Sequence, residues 1–421
     1  PTRVAWTKSF DQDPACDDEH LELLVPHYEG VLITHPAKSL PEANMRWLEI
    51  GYPGVLAIPM IAYRCGAGEW TAVYTSLDTL GASLRVRAEG VKTSLELECP
   101  GACTFHRAHA ATWQELARAV ARAYDVRSTT VPLASRYKGH HFYVHQWVSA
   151  EGEPLRTDQP MDTLVAGLKH EDPSTIAYVY GIDPNGIDLR GEYFTEPGAV
   201  DKVKRLVAAN PRISLFSWLN LRSYKYAVPP RGIDLPMTDD VHAMARLRKD
   251  GSVPGVEQFN FKSWEMCIAS EAWEKSRWRE LEKLVALGFK VIALDEFPIP
   301  SSEWRAIGCS AKNHLHKPDD FPDEARIVRA FVERMARYAH DHGVLISEEE
   351  PSAAYLPFIS GYVDRISNPP DMYEGYAKTK GATVVPLFST MFGQLATPYT
   401  DPNAKTPALP GWLPNVKVEG K

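Results

Sequence analysis

The stretch Gly288-Phe-Lys-Val-Ile-Ala-Leu-Asp-Glu-Phe-Pro298 decides how this chain reads. Gly288 ends a helical pattern, Val291 to Leu294 make an apolar run of the length of a short buried strand, and Asp295 and Glu296 stand at its C-terminal tip. Strand tips carry the chemistry in a (β/α)8 barrel, so both carboxylates fall where reactive groups are expected. The same unit returns as Gly343-Val-Leu-Ile-Ser-Glu-Glu-Glu-Pro351. Two carboxyl clusters on the tips of neighbouring buried strands suit nucleophilic and acid/base work on a glycosidic bond; the plainer alternative is a pair of solvated acidic loops.

Around these units, strand-like and helix-like segments alternate from about residue 130 onward, which predicts a parallel sheet wrapped by helices. Strand candidates are His141 to His145, Thr175 to Tyr180, Ile213 to Trp218, Lys290 to Leu294, Gly343 to Ser347, Tyr362 to Ile366 and Thr383 to Phe388. That is seven, one short of a closed barrel; the eighth lies either in a stretch without a readable pattern or beyond a C-terminal truncation. Helices are expected at Val200 to Ala209, Glu271 to Leu287 and Glu324 to His342, each stopped by Asn-Pro or by glycine. Ala227 to Phe259 has no clear repeat and reads as an excursion over the active face. Before residue 130, short apolar segments alternate with Gly- and Pro-bearing turns, as in Leu84-Arg-Val-Arg87 and Ser94-Leu-Glu-Leu-Glu98, and predict a β-sandwich. Thr112 to Tyr124 then shifts to helical spacing. The expected architecture is therefore α/β: a β-sandwich domain over 1–130 ending in a helix, then a (β/α)8 TIM-type catalytic barrel over 131–421.

Composition excludes several classes. With 46 basic and 54 acidic residues and no basic run, nucleic acid is not an expected partner and no polybasic membrane anchor is visible. No apolar run reaches the length of a membrane span. The chain starts at Pro1 without methionine, as a processed or trimmed form would, so the lack of a signal peptide says little about compartment. The six cysteines, at 16, 65, 99, 103, 267 and 309, show no paired zinc-ribbon spacing and read as reduced thiols, which favours a cytoplasmic setting. Eleven tryptophans and eighteen tyrosines suit sugar stacking or, equally, a large aromatic core.

Among single residues, Asp295 follows Ala293-Leu294 directly, and Glu296 should point the other way by strand alternation. Glu348, Glu349 and Glu350 are the second cluster. Like charges this close favour one staying protonated, as a general acid must be, although parity alone does not say which faces inward. Trp147, Tyr180, Trp218 and Trp264 lie near strand tips, with Asp183, Asn220 and Arg222 close by. Polar hydrogen-bonders interleaved with flat rings fit a carbohydrate site, while Asp183 also fits an ordinary turn. His314 and His316 follow Asp295 and are read as hydrogen-bonding groups of a polar cleft. A metal-binding barrel reading combines them with Asp295 and with His141 and His145, but four-residue spacing along a strand does not aim two rings at one ion.

With these residues in hand, the chain resembles the melibiase-like α-glycosidase barrels, and among them a branch akin to endo-α-N-acetylgalactosaminidases. Tyr52-Pro-Gly-Val-Leu-Ala57 and Trp70 to Asp78 are similar to strands that precede such barrels. Met266-Cys-Ile-Ala-Ser-Glu-Ala-Trp273 is similar to the family's Met-Cys-Pro segment, with Ile268 in place of proline. Leu294-Asp295 with Cys309 and His314-Leu-His-Lys-Pro318 is similar to its strand-four aspartate and Cys/His loop, and Ile346 to Pro351 with Tyr355 to its strand-five glutamate motif. The resemblance implies a retaining glycoside hydrolase acting on an α-glycosidic bond, with Asp295 as nucleophile and no cofactor or metal required. Alignment on Pro351 and Tyr355 makes Glu349 the acid/base. Glu348, Glu350, Glu296 and, in Tyr362-Val-Asp-Arg365, Asp364 remain alternatives. Two other readings stand beside it: a metal-dependent barrel hydrolase using the histidines, and a carbohydrate-binding barrel without turnover. The sequence leaves the oligomeric state open.

Overall fold

The computed structural model describes residues 3–10, 16–42, 47–89, 92–144, 161–180, 199–228, 233–234, 236–258, 261–298, 307–363, 366, 380–400, 409 and 412–414. At its centre lies a seven-stranded sheet in the order Gly139–Val144, Thr175–Tyr180, Ser214–Asn220, Val291–Asp295, Leu345–Glu348, Gly361–Val363 and Thr397–Tyr399. Every neighbouring pair in it is parallel. Val291–Asp295 occupies the middle with both faces covered, which is why its sequence is a continuous apolar run rather than an alternating one.

The two helix–glycine–strand units form as their sequences predict. Glu271–Ala286 runs out at Leu287, and Gly288 takes a left-handed φ of 93° that turns the chain into the central strand. Phe321–Asp341 opens on Asp320, whose side chain accepts the Asp323 amide at 3.1 Å, and it ends before Gly343, again left-handed at 73°. Its apolar stripe, including Phe331, Val332, Met335 and Ala339, is buried in the main core. Thr112 caps Trp113–Tyr124 through a reciprocal pair of bonds with Glu115.

Two expectations about architecture are corrected. The (β/α)8 TIM-type barrel is not closed: among the described residues the parallel strands form an open half-barrel. Residues 412–414 reach both edges, Leu413 by a bridge to Tyr399 and Pro414 by accepting the His140 amide at 3.0 Å, but they form no eighth strand. Thr383 to Phe388, read as a barrel strand, splits. Ala382–Val384 pairs antiparallel with Val31–Thr34, and Leu387–Phe392 is a helix. The seventh parallel strand is instead Thr397–Tyr399, a segment too short to carry a pattern.

In place of the expected N-terminal β-sandwich stand two antiparallel sheets. One has four strands, Arg3–Ser9, Lys92–Pro100, Ser83–Glu89 and Trp47–Gly51. The other has six and takes its edge strand, Ala382–Val384, from the far end of the chain. Such non-local pairing leaves no local trace in sequence. Described residues of the Ala227 to Phe259 excursion take part in regular structure. Ser223–Val228, Ile233–Asp234, Gly255–Gln258 and Phe261–Glu265 form a small antiparallel sheet beside the strand tips.

The cysteines depart from the expected six reduced thiols. Cys16 is bonded to Cys65 and Cys99 to Cys103, while Cys267 and Cys309 lie outside disulfides. The cysteines therefore lend no support to a cytoplasmic setting. No described helix is long and apolar enough to cross a membrane.

Gly361 tests the sheet. A Cβ there would lie 2.5 Å from Leu133 Cδ1 and 2.7 Å from the Thr397 carbonyl oxygen, a backbone atom that cannot yield without breaking the pairing. Gly361→Val is expected to destabilise the fold by about 1–3 kcal/mol, seen as a lower urea midpoint at unchanged slope. An unchanged midpoint contradicts this packing.

Candidate active site

The parallel register lines up the polar side chains at the strand tips. Asn220 pairs with Asp295, and Leu294 with Glu348, so one step further along the ladder Asp295 stands opposite Glu349. The Glu349 amide donates to the Leu294 carbonyl at 3.1 Å, which continues the ladder to that point. Asn220, Asp295 and Glu349 thus occupy one row across three adjacent strands. Side-chain direction alternates along a strand, so they share a face with Phe216, Trp218, Ala293 and Leu345, which form a cluster with Tyr178 and Tyr399. Leu219, Leu294 and Ile346 face the other way into the main core.

Each member of the row is held. Asn220 Oδ1 accepts the amides of Arg222 at 2.9 Å and Ser223 at 2.7 Å, so its amide orientation is set. Its Nδ2 then donates to Asp295 Oδ2 at 2.8 Å. Asp295 and Glu349 are half-buried, open enough to meet a ligand. Glu296 follows Asp295 with a φ of 53°, a left-handed conformation that is uncommon for a non-glycine residue. That turn aims its amide at Glu349 Oε2, 2.6 Å away, while its carboxylate accepts the Ser223 hydroxyl. Glu296 therefore links the row from outside it.

The other glutamates stand elsewhere. Glu348 is fully buried on the opposite face, with Oε1 accepting the Ser352 amide at 2.9 Å and Oε2 without a hydrogen-bond partner among the described residues. Burial pushes its pKa well above the ordinary 4.5, only partly opposed by the Ser352 amide. Glu350 is buried, with its amide donating to the Phe297 carbonyl.

Arg222, read from sequence as a sugar ligand, is buried and paired with Glu265. Burial lowers its pKa and Glu265 pulls the other way. Glu265 also lies 3.7 Å from Arg246, which pairs with Glu324. Burial works against the Arg246 charge, but Glu324 and Glu265 more than restore it, so its pKa rises. Ser223, Arg246, Glu265 and Glu324 were not legible as site residues, since they are scattered over a hundred residues and meet only in space. Trp218 is half-buried, edge-on to Tyr178 and Phe216. Trp264 stacks on Tyr226 with ring centres 4.1 Å apart and planes 13° from parallel. Trp147, Asp183 and Asp364 lie outside the described residues, as does the side chain of Tyr180.

His314 and His316 turn toward sulfur. Cys267 Sγ is 3.4 Å from His316 Nε2, and Cys309 Sγ is 3.6 Å from His314 Nδ1. The Cys309 thiol is pushed down to about 2, by the Cys267 hydrogen bond first, against burial, with His314 and His316 adding to it. Burial pushes Cys267 the other way.

No protein-family model matches this chain, and no curated protein matches it in sequence. Solved structures do match in fold. The α-N-acetylgalactosaminidase NagBb from Bifidobacterium bifidum aligns at a TM-score of 0.65 and 16% identity over 94% of this chain and 69% of its own. TtGalA, an α-galactosidase from Thermus thermophilus in complex with p-nitrophenyl α-D-galactopyranoside, aligns at 0.55 and 14% identity over 89% of this chain and 71% of its own. A GH31 family sulfoquinovosidase from E. rectale aligns at 0.52 and 10% identity over 97% and 60%. At these identities the likeness is one of fold.

The buried Glu348 gives a pH test. In the folded chain it keeps a proton that the unfolded chain releases above about 4.5, so its contribution to stability is whole below that pH and is lost as pH rises toward the folded value. Glu348→Gln keeps the neutral shape and removes the titration. Between about pH 5 and about pH 8 the wild-type urea midpoint should therefore fall relative to that of the variant. Parallel curves mean that Glu348 is ionised in the fold.

Proposed function

We propose that this chain is a glycoside hydrolase that cleaves an α-glycosidic bond with retention, with Asp295 as nucleophile and Glu349 as acid/base. The observation that carries this reading is the row Asn220–Asp295–Glu349 at the carboxyl ends of three adjacent parallel strands. Neighbouring strands lie about 4.8 Å apart, so two carboxylates side by side on them fall near the separation of roughly 5–5.5 Å that retention requires. Deeper in the sheet the same side chains would be buried in the core, while at its tips they meet a ligand.

In this mechanism the Asp295 carboxylate, oriented by the bond from Asn220 to its Oδ2, attacks the anomeric carbon. The glycosidic C–O bond breaks as Glu349 gives its proton to the departing oxygen. The Glu296 amide, which donates to Glu349 Oε2, holds that carboxyl in place for the transfer. The resulting carboxylate then takes a proton from water, which attacks the glycosyl ester and frees Asp295. Trp218, on the same face, and the Tyr226–Trp264 stack beside the tips are the candidate platforms for a sugar ring. The fold neighbours act on α-N-acetylgalactosaminides and α-galactosides, which makes these the first substrate classes to try.

On aryl α-glycosides of these two sugars, Asp295→Asn should nearly abolish turnover while the protein stays folded, because an amide cannot form the ester. An Asp295→Asn variant that keeps a large share of activity removes Asp295 from this role. Glu349→Ala should lower turnover by roughly 10²–10⁴-fold for poor leaving groups and far less for activated ones, with azide restoring the latter. The same pattern in Glu350→Ala, with Glu349→Ala active, would move the acid/base to Glu350. Asn220→Ala removes the amide that orients Asp295 Oδ2 and is expected to reduce kcat more than it alters KM.

A further inference from the structure

Away from the carboxylate row, four soft ligand atoms converge. Cys267 Sγ, Cys309 Sγ and one ring nitrogen each from His314 and His316 all lie within 4.8 Å of one another. Cys267 sits just before the helix Glu271–Ala286, and the other three come from residues 307–320, which form neither helix nor strand. We propose that Cys267, Cys309, His314 and His316 bind a structural Zn²⁺ ion in a Cys2His2 site that fastens this loop to the base of that helix.

Three observations carry the proposal. The first is spacing. A tetrahedral zinc with its usual bond lengths sets sulfur and nitrogen ligands roughly 3.6 Å apart. The two measured S···N distances are 3.4 and 3.6 Å.

The second is the state of the rings. His314 Nε2 lies 2.9 Å from the Ala243 carbonyl, and His316 Nδ1 lies 2.9 Å from the Lys317 carbonyl. A carbonyl only accepts, so each ring in its neutral form directs its N–H there and leaves its other nitrogen to face the sulfurs with a lone pair, which is the tautomer a metal-bound histidine adopts. Cys309 Sγ also faces the amides of Leu247 at 3.4 Å and Ala311 at 3.5 Å, donors that suit a metal-bound thiolate.

The third is the loop itself. It exposes Ile307 and Leu315 and gives only Cys309 and Ala311 to the hydrophobic core, so apolar packing supplies little of its order. Yet Gly308 packs so closely that a Cβ would come within 2.6 Å of the Asp319 backbone. A local crosslink accounts for such order without a core. Two thiolates and two imidazoles are soft and borderline ligands that select zinc over magnesium or calcium, and no ligand position is left open for a reactive water. Both cysteines ligate as thiolates, any remaining thiol proton going to solvent, and the two thiolate charges balance the ion.

The site reaches the row through the backbone. The Met266 amide donates to the Arg222 carbonyl, and the Arg222 amide donates to Asn220. The Cys309 amide also donates to Glu324 at 2.9 Å, tying the loop to the buried charge network.

The test uses the full chain. Elemental analysis after exposure to ZnCl2 and desalting should find about one zinc per chain, and a strong chelator should lower Tm in a way that zinc, but not calcium or magnesium, restores. Cobalt substitution should give the thiolate charge-transfer band and the intense visible bands of a tetrahedral site. Cys309→Ser and His314→Gln should each lose most of the metal; where either variant does not fold, the cobalt spectrum of the unmodified chain decides. Zinc content near zero with Tm unmoved by chelator overturns the proposal and leaves a hydrogen-bonded thiol–imidazole cluster. Zinc that survives in Cys267→Ser/Cys309→Ser overturns it too, because the ion would then sit elsewhere. None of these readouts depends on glycosidase activity.

Discussion

The parallel registration of Ser214–Asn220, Val291–Asp295 and Leu345–Glu348 is the constraint on which the site depends. Side chains alternate with a period of two, so a one-residue slip of any of these strands would exchange its two faces. Slipping the third by one residue would put Glu348 in the row and send Glu349 into the core. The register is held because the face carrying Leu219, Leu294 and Ile346 is packed against the main core, where a polar replacement is costly. Hydrophobic packing on one face thus aims carboxylates on the other.

The second support is the chain of buried charges Arg222–Glu265–Arg246–Glu324. Buried ions cost several kcal/mol each to desolvate, so such a chain adds little net stability. Its value is geometric. Removing one partner strands another charge in the interior, and this makes alternative arrangements of the strand tips expensive. Arg222 joins this chain to the row through the hydrogen bond from its backbone N–H to Asn220 Oδ1, so the ion network and the carboxylates share one backbone segment.

Fold and chemistry carry different weights here. The alignments with α-glycosidases span most of the chain at 10–16% identity, a level at which backbones persist while sites are rebuilt. The case for hydrolysis therefore rests on side-chain placement: a nucleophile-like aspartate anchored by an asparagine, and a glutamate one strand away whose carboxylate is held by the amide of a left-handed residue.

The sequence by itself determined the local units. Glycine stops at 288 and 343, the helical spacing from Thr112 to Tyr124 and the apolar runs before Asp295 and Glu348 are short-range signals that survived into the structure, because propensity and period act over a few residues. It also placed both carboxylate clusters at strand tips. Only the tertiary structure decided which glutamate of three faces Asp295, because parity depends on where the strand begins to pair. The same holds for the open half-barrel, for Ala382–Val384 joining a sheet built from the first part of the chain, and for the cysteines. Cys16 and Cys65 meet across 49 positions, and Cys267 meets Cys309, His314 and His316 from the far side of a helix and a strand. Contacts of that kind are set by how whole elements pack, a free energy summed over the entire core, and no window of sequence contains it.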